Sequence, residues 1–292
     1  MRTYTVAVAG LGLIGGSLAL AAQRAPGWRA VGIDREPAVL QAAAAAGLTQ
    51  TALPAGEEAD AASPAARLLA EADLVILALP PQAVPSFLEA HAPYLRPGTV
   101  VSDVCGVKRR IVQVCEPICA AKGLRFIGGH PMAGKEHSGF GQADAELFKG
   151  ASYILTPTSE TDPAALQMMR DFAAALGCGR VTVASPEHHD RMIAFTSQLP
   201  HVLAGAYMQS PVSGQHQGYS AGSYRDVSRV ATVDETLWSR LFLLNKDCLL
   251  EEIEGLSARL AEYRAALLAE DRESLEEILR RGRLRKEETD NQ

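Results

Sequence analysis

The chain has 292 residues, of which 47% are hydrophobic and 21% charged, and its formal net charge is −6. That is ample apolar material for one large or two ordinary globular cores, and the lack of a basic excess argues against a nucleic-acid-binding surface. Five cysteines, at 105, 115, 119, 178 and 248, form no CxxC pair, and no apolar run reaches the length of a membrane span or precedes a cleavage site; the expectation is free thiols in a reducing compartment and a cytoplasmic protein.

The first strand, expected over Thr5–Ala9, runs into GLGLIGGSLA and a helix from Ile14 to about Gln23. In this strand–turn–helix context Gly10 permits a tight turn and Gly12 lets a diphosphate approach the backbone. Gly15 permits close helix–strand packing, and Leu13 and Ile14 open the helix whose N-terminus faces the phosphates. The next strand, Ala30–Ile33, ends at Asp34, where a carboxylate can bind both ribose hydroxyls and repel a 2′-phosphate. This favours NAD over NADP, and the adjacent Arg35 weakens the discrimination.

Helices are expected over Pro37–Ala46 and Pro64–Glu71, then a fully apolar strand, Leu74–Ala78, leaving through Leu79, Pro80 and Pro81. Such a strand suits a sheet covered on both faces, and its exit lies where a Rossmann sheet meets the nicotinamide half. A helix over Gln82–Ala90 precedes the strand Val100–Ser102, followed by Asp103 and Lys108. These two either pair as a clamp or face the ligand, Asp103 toward the cofactor.

After a helix over Lys108–Ala121, the strand Leu124–Ile127 leads into GGHPMAGKEHSG. Pro131 disfavours helical geometry at the preceding residue, so His130 is expected to be extended at the strand's tip. An imidazole at the carboxyl edge of an open sheet is well placed to take a proton near neutral pH, and the surrounding glycines leave room for a ring. The strands Ser152–Leu155 and Arg180–Val183 and the helix Pro163–Leu176 complete the first half. The alternation predicts an α/β, doubly wound Rossmann-type sheet over residues 1–185.

From Pro186 the pattern is helical to residue 292, and the last ten or so residues are expected to fray. Residues 189, 193, 197 and 201, which include His189 and His201, lie four apart and drift slowly around one face of a helix. Three histidines and Asp190 invite a metal reading, but no HxxxH pair supports it, and none is expected. Further on, Arg225 and Arg229 lie four apart in a Gly-rich stretch with few charges, and one of them is expected to be buried and to hold a carboxylate.

Together GLGLIGGSLA, GID, GGHPMAGKEHSG, HHDR with SQLPH, and GSYRDVSRVA with LW resemble the prephenate/arogenate dehydrogenase family of tyrosine biosynthesis, in order and over nearly the whole chain. The resemblance implies a Rossmann domain followed by an all-α dimerisation domain, NAD as cofactor and a homodimer. It implies that His130 hydrogen-bonds the substrate's ring 4-hydroxyl, that Arg229 holds the ring carboxylate, and that His201 lies near the substrate side chain. It places Gly222, Asp226 and Trp238 around the same pocket, partly across the dimer, and His189 is expected to bind substrate with them. The activity implied is oxidative decarboxylation of prephenate, or of arogenate. One departure stands out: many members carry serine where this chain has Gly106, so a water replaces that hydroxyl or its contribution is lost. No regulatory module is expected after the helical domain. A β-hydroxy acid dehydrogenase, using Lys246, and an inactive nucleotide sensor remain the alternatives.

Overall fold

The computed structural model describes residues 2–48, 50–53, 63–135 and 137–290. Glu136, within the GGHPMAGKEHSG stretch, lies outside them. The elements of the first half run β1 (Tyr4–Ala9), α1 (Leu13–Arg24), β2 (Trp28–Ile33), α2 (Pro37–Ala45), β3 (Thr51–Ala52), α3 (Pro64–Glu71), β4 (Leu74–Leu77), α4 (Val84–His91), β5 (Val100–Asp103), α5 (Arg109–Ala120), β6 (Arg125–Pro131), β7 (Ser152–Thr156), α6 (Pro163–Ala175) and β8 (Arg180–Val183). The strands form one sheet in the order β3-β2-β1-β4-β5-β6-β7-β8, parallel throughout except between β6 and β7. This is the mostly parallel Rossmann-type sheet expected from the alternation.

Strand periodicity explains why continuous apolar runs are needed. Val6, Val8, Leu74 and Ile76 enter one core with Leu18, Ala22 and Phe172, while Ala7, Ala9, Val75 and Leu77 enter the other with Leu69, Leu88 and Cys115. Both faces are covered, so these central-strand positions are all buried. Each fully buried Val, Leu or Ile contributes about 1.5–3 kcal/mol. The helices begin where local chemistry dictates. Ser63 accepts the Ala66 amide at 3.1 Å and Asp162 the Ala164 amide at 2.7 Å, each just before a proline that opens the helix.

β6 departs from expectation and positions the site. It does not end at Ile127 but continues through Gly128, Gly129, His130 and Pro131. Its first three residues pair with Val100, Val101 and Ser102 of β5, and its last four pair antiparallel with Thr156–Tyr153 of β7. His130 is therefore held by ladder pairing beyond the last β5 partner. The two glycines make room for protein: a Cβ on Gly128 would stand 2.3 Å from Thr156 Oγ1, and one on Gly129 2.9 Å from Ser102 Oγ.

The chain resolves into two compact units, one of residues 1–193 with 232–237, the other of residues 194–231 with 238–292. The first thus includes α7 (Pro186–Ile193), which extends past residue 185. Ser185 caps α7 by accepting the His188 amide at 3.1 Å. The second unit opens with a π-helical turn, Ala194–Gln198, which ends two residues before Pro200. It continues through α8 (Leu199–Met208), α9 (Gly222–Ser228), most of α10 (Glu235–Leu244), α11 (Lys246–Leu268) and α12 (Arg272–Asp290). Buried Gln198 and Asn245 lock it, Asn245 Nδ2 donating to Gln198 Oε1 at 2.9 Å and Gln198 Nε2 to the Leu241 carbonyl at 3.3 Å. The expected fraying does not extend through the last ten residues: α12 continues to Asp290, carrying Arg283–Glu287, Arg285–Glu288 and Lys286–Asp290 pairs. Among the described residues no helix is long and apolar enough to cross a membrane.

Candidate active site

Two arrangements in the first unit carry chemistry. The first is the turn from β1 into α1. Gly10 has φ +89°, and a Cβ there would meet the Ala78 carbonyl oxygen at 2.4 Å and the Leu79 side chain at 2.9 Å. Gly12 caps α1 with no side-chain cap bond, and a Cβ on it would meet nothing within 4 Å. Leu13, Ile14 and Gly15 therefore present helix-terminal amides beside open space, the arrangement that receives a diphosphate. Asp34 follows β2, its Oδ2 accepting the Leu11 amide at 2.7 Å and its Oδ1 the Glu36 amide at 2.9 Å. A carboxylate has acceptor sites beyond two such bonds, so Asp34 retains capacity to accept from further donors such as hydroxyls. This turn fits a dinucleotide. Arg35 is exposed and pairs with Glu36 at 3.4 Å, and Pro80 is exposed at the β4 exit.

The second arrangement surrounds His130. Asp103, expected beside the cofactor, is instead turned inward and has no solvent-exposed surface. Its carboxylate receives the Lys108 ammonium, the Cys105 amide at 2.9 Å and the Gly129 amide at 3.3 Å. Lys108 is equally sealed and also donates to the Gly129 carbonyl at 2.6 Å. Of the two readings left open for this pair, the clamp is the one the geometry supports. It fixes the backbone immediately before His130.

His130 Nδ1 lies 2.9 Å from His189 Nε2, and His189 Nδ1 lies 2.8 Å from Asp190 Oδ1. Asp190 also accepts the backbone amides of Lys108 at 2.7 Å and Arg109 at 3.0 Å, and the Arg109 Nε at 3.2 Å. It thus caps the N-terminus of α5 from another helix, where a negative charge is favoured. Burial pushes the Asp190 carboxyl up, but hydrogen bonds from His189, Arg109 and Lys108 prevail and hold it below its usual range. Burial, with smaller contributions from His189 and Lys108, holds His130 well below the ordinary histidine value. Burial also lowers His189, although Asp190 opposes it.

This overturns the placement of His189 among residues lining a substrate pocket. Its side chain is 0% exposed, with one ring nitrogen on His130 and the other on Asp190. Asp190, weighed in the sequence only as a metal ligand, and Arg109, not singled out there, complete the arrangement. Among the described residues no group of three His, Cys, Asp or Glu side chains is arranged to hold a metal ion.

The second unit holds the other candidates. His201 on α8 stacks on Trp238 of α10, ring centroids 3.7 Å apart, and its Nδ1 bonds the Ser197 carbonyl at 2.7 Å. Gly222 and Asp226 lie on α9, and Arg229 opens the short 3-10 turn that follows and packs against α8. Contrary to expectation neither Arg225 nor Arg229 is buried; both are exposed, as are Gly222 and Asp226.

The sequence family described as the prephenate dehydrogenase nucleotide-binding domain matches residues 18–183, and that described as the prephenate dehydrogenase dimerization domain matches residues 185–281. The prephenate dehydrogenase of Bacillus subtilis is 32% identical over 281 residues, covering 93% of this chain and 72% of the relative. A solved prephenate dehydrogenase from A. aeolicus, in complex with hydroxyphenyl propionate and NAD+, superposes with a TM-score of 0.83 at 27% identity and covers 99% of both chains. The arogenate dehydrogenase of Synechocystis gives a TM-score of 0.81 at 27% identity, covering 98% of this chain and 99% of its own.

Proposed function

The chain belongs to the prephenate dehydrogenase family, and on that premise we propose that it oxidatively decarboxylates prephenate to 4-hydroxyphenylpyruvate with NAD as cofactor. The observation that carries this reading is His130 itself. It is fixed beyond the β5 pairing edge and kept neutral at physiological pH by burial, as a proton acceptor must be. Residues 1–185 form the NAD-binding domain in this reading and 186–292 the helical substrate and dimerisation domain.

Bound NAD+ supplies the hydride acceptor. The chain's residues do the rest. The α1 N-terminus holds the diphosphate and Asp34 the ribose hydroxyls, with Arg35, Leu79 and Pro80 along the same edge. His130 takes the proton of the ring 4-hydroxyl as hydride leaves C4, and the ring then loses its carboxylate as CO2 and becomes aromatic. Arg229 positions that carboxylate without holding it so strongly that its departure stalls. His201 and Trp238 flank the substrate side chain, and Gly222 and Asp226 line the pocket. Two chains pair through the helical domain. Supporting this, α10–α12 expose large apolar side chains, among them Leu243 at 72% and Leu268 at 69%. A cytoplasmic location accords with five cysteines and no disulfide among the described residues.

Arogenate is the second reading, favoured by the likeness to the Synechocystis enzyme; it differs from prephenate by an amino in place of a keto group. The experiment is steady-state NADH formation and CO2 release with prephenate and arogenate, each with NAD and NADP. Turnover of prephenate with NAD above the other three combinations is expected. Turnover confined to arogenate would replace the first reading by the second, and turnover of neither would end both.

A further inference from the structure

We infer that His189 and Asp190 are positioning residues which fix the tautomer of His130, leaving the lone pair of its neutral ring on Nε2 as the atom that receives the substrate proton. The inference rests on the reading of His130 as proton acceptor, and follows from counting hydrogens along two contacts.

Asp190 is an ionised carboxylate and can only accept. The 2.8 Å contact between His189 Nδ1 and Asp190 Oδ1 therefore requires a hydrogen on His189 Nδ1. A neutral imidazole carries one hydrogen, so His189 Nε2 is a lone pair. The 2.9 Å contact between that atom and His130 Nδ1 then requires the hydrogen of His130 to sit on Nδ1. The chain of two bonds ends on a base atom of determined identity. Both rings are neutral because burial lowers each: at His189 it outweighs the opposing Asp190 interactions, and at His130 it is reinforced by His189 and Lys108.

The reverse tautomer, with hydrogen on His130 Nε2, would place two lone pairs 2.9 Å apart at the His130–His189 contact. Asp190 is itself immobilised by the Lys108 and Arg109 amides and the Arg109 side chain, so the pattern cannot invert by turning the carboxylate. In the reaction the substrate O–H bond breaks, an N–H bond forms at His130 Nε2, and the C4 hydride leaves to NAD+. His130 becomes a cation at that moment, and its Nδ1–H bond to His189, backed by the Asp190 carboxylate, strengthens. Ring orientation is supplied from the Nδ1 side, so it does not require a hydroxyl at Gly106.

Two measurements test this. The first is 15N NMR of the histidine rings in the unsubstituted protein at neutral pH, without substrate. A protonated Nδ1 and an unprotonated Nε2 on His130 are expected; the opposite tautomer overturns the inference whatever the substrate proves to be. The second compares His189→Leu with His189→Gln, whose side-chain carbonyl can still accept from His130 Nδ1. His189→Leu should lower kcat by on the order of 10²–10⁴-fold at little change in KM, and His189→Gln should regain at least about tenfold of that loss. A folded His189→Leu with the original kcat overturns the inference, as does a His189→Gln variant no faster than His189→Leu. If His189→Leu does not fold, the NMR result decides. Loss of the dehydrogenase reading would show instead as no turnover by the unsubstituted protein.

Discussion

Gly15 sits so close under Gly10 that a Cβ on Gly15 would stand 1.8 Å from the Gly10 carbonyl oxygen. Gly12, between them, is open to space. The two positions should therefore respond differently to one added methyl group. Gly15→Ala must push the α1 N-terminus off the β1 turn, and should destabilise the fold by about 1–3 kcal/mol while weakening NAD binding. Gly12→Ala, at φ −72°, needs no rearrangement. It should leave Tm unchanged and raise the NAD Kd by about tenfold or more, since the methyl occupies the place of the diphosphate. Thermal denaturation and NAD titration of both variants check this, and a stable Gly12→Ala with unaltered NAD affinity would move the dinucleotide elsewhere.

Lys108 and Asp103 form an ion pair with neither side chain exposed. Removing one member leaves the other charged and buried, at a cost of about 3–5 kcal/mol, whereas removing both relieves that cost. Lys108→Met and Asp103→Leu should each destabilise strongly, and the double variant should lose less than the sum of the two. Urea denaturation around the double-mutant cycle measures the coupling. Additive losses would show that the pair does not act as a unit.

Much of this architecture is legible in the residues themselves. Runs such as LVIL declare strands buried on both faces, and Ser63 and Asp162 before prolines declare helix starts, so these elements fall within a few residues of expectation. β3 escapes notice because two residues, Thr51 and Ala52, carry no periodicity. The continuation of β6 through Gly128 and Gly129 is hidden for another reason. Two glycines read as a loop, and only pairing with β7, some two dozen residues later, makes them strand. The site divides in the same way. The turn at Gly10–Gly15 is a local device and can be read locally. The relay is not, because Asp190 meets the amide of Lys108 across 82 residues and His189 meets His130 across 59. Histidines pointing inward and outward look alike in a sequence, which is how His189 came to be expected at the substrate.

The depressed pKa of His130 sets a pH window. Its folded value lies below its ordinary value of 6.5, with burial the largest cause. The unfolded chain therefore takes the proton first as pH falls, so the stability held above about pH 6.5 is lost below it, down through the folded value. Between about pH 7.5 and about pH 5.5 the unfolding free energy should fall, and by less in His130→Asn than in the unsubstituted protein. In kcat/KM the acid limb should lie below pH 6.5, the ordinary value. Lys108 is one of the charges lowering His130, so Lys108→Met, if it folds, should move that limb to higher pH. An acid limb above the ordinary histidine value would contradict the neutral, desolvated base.

Arg229 is exposed on the turn after α9, against the helix that carries His201. An exposed guanidinium contributes little to folding, so Arg229→Ala should leave Tm within about a degree or two of the original. If it grips the ring carboxylate bidentately, its loss removes a charged hydrogen bond of about 1.5–3 kcal/mol, or roughly 10- to 150-fold in substrate affinity. Arg229→Lys keeps the charge but not the planar fork, and should recover only part of that loss. KM for prephenate should therefore rise most in Arg229→Ala and less in Arg229→Lys, with the NAD Kd unchanged in both. An unchanged prephenate KM in Arg229→Ala would assign the carboxylate to another cation, and Arg225, one helical turn earlier and equally exposed, would be the next to replace.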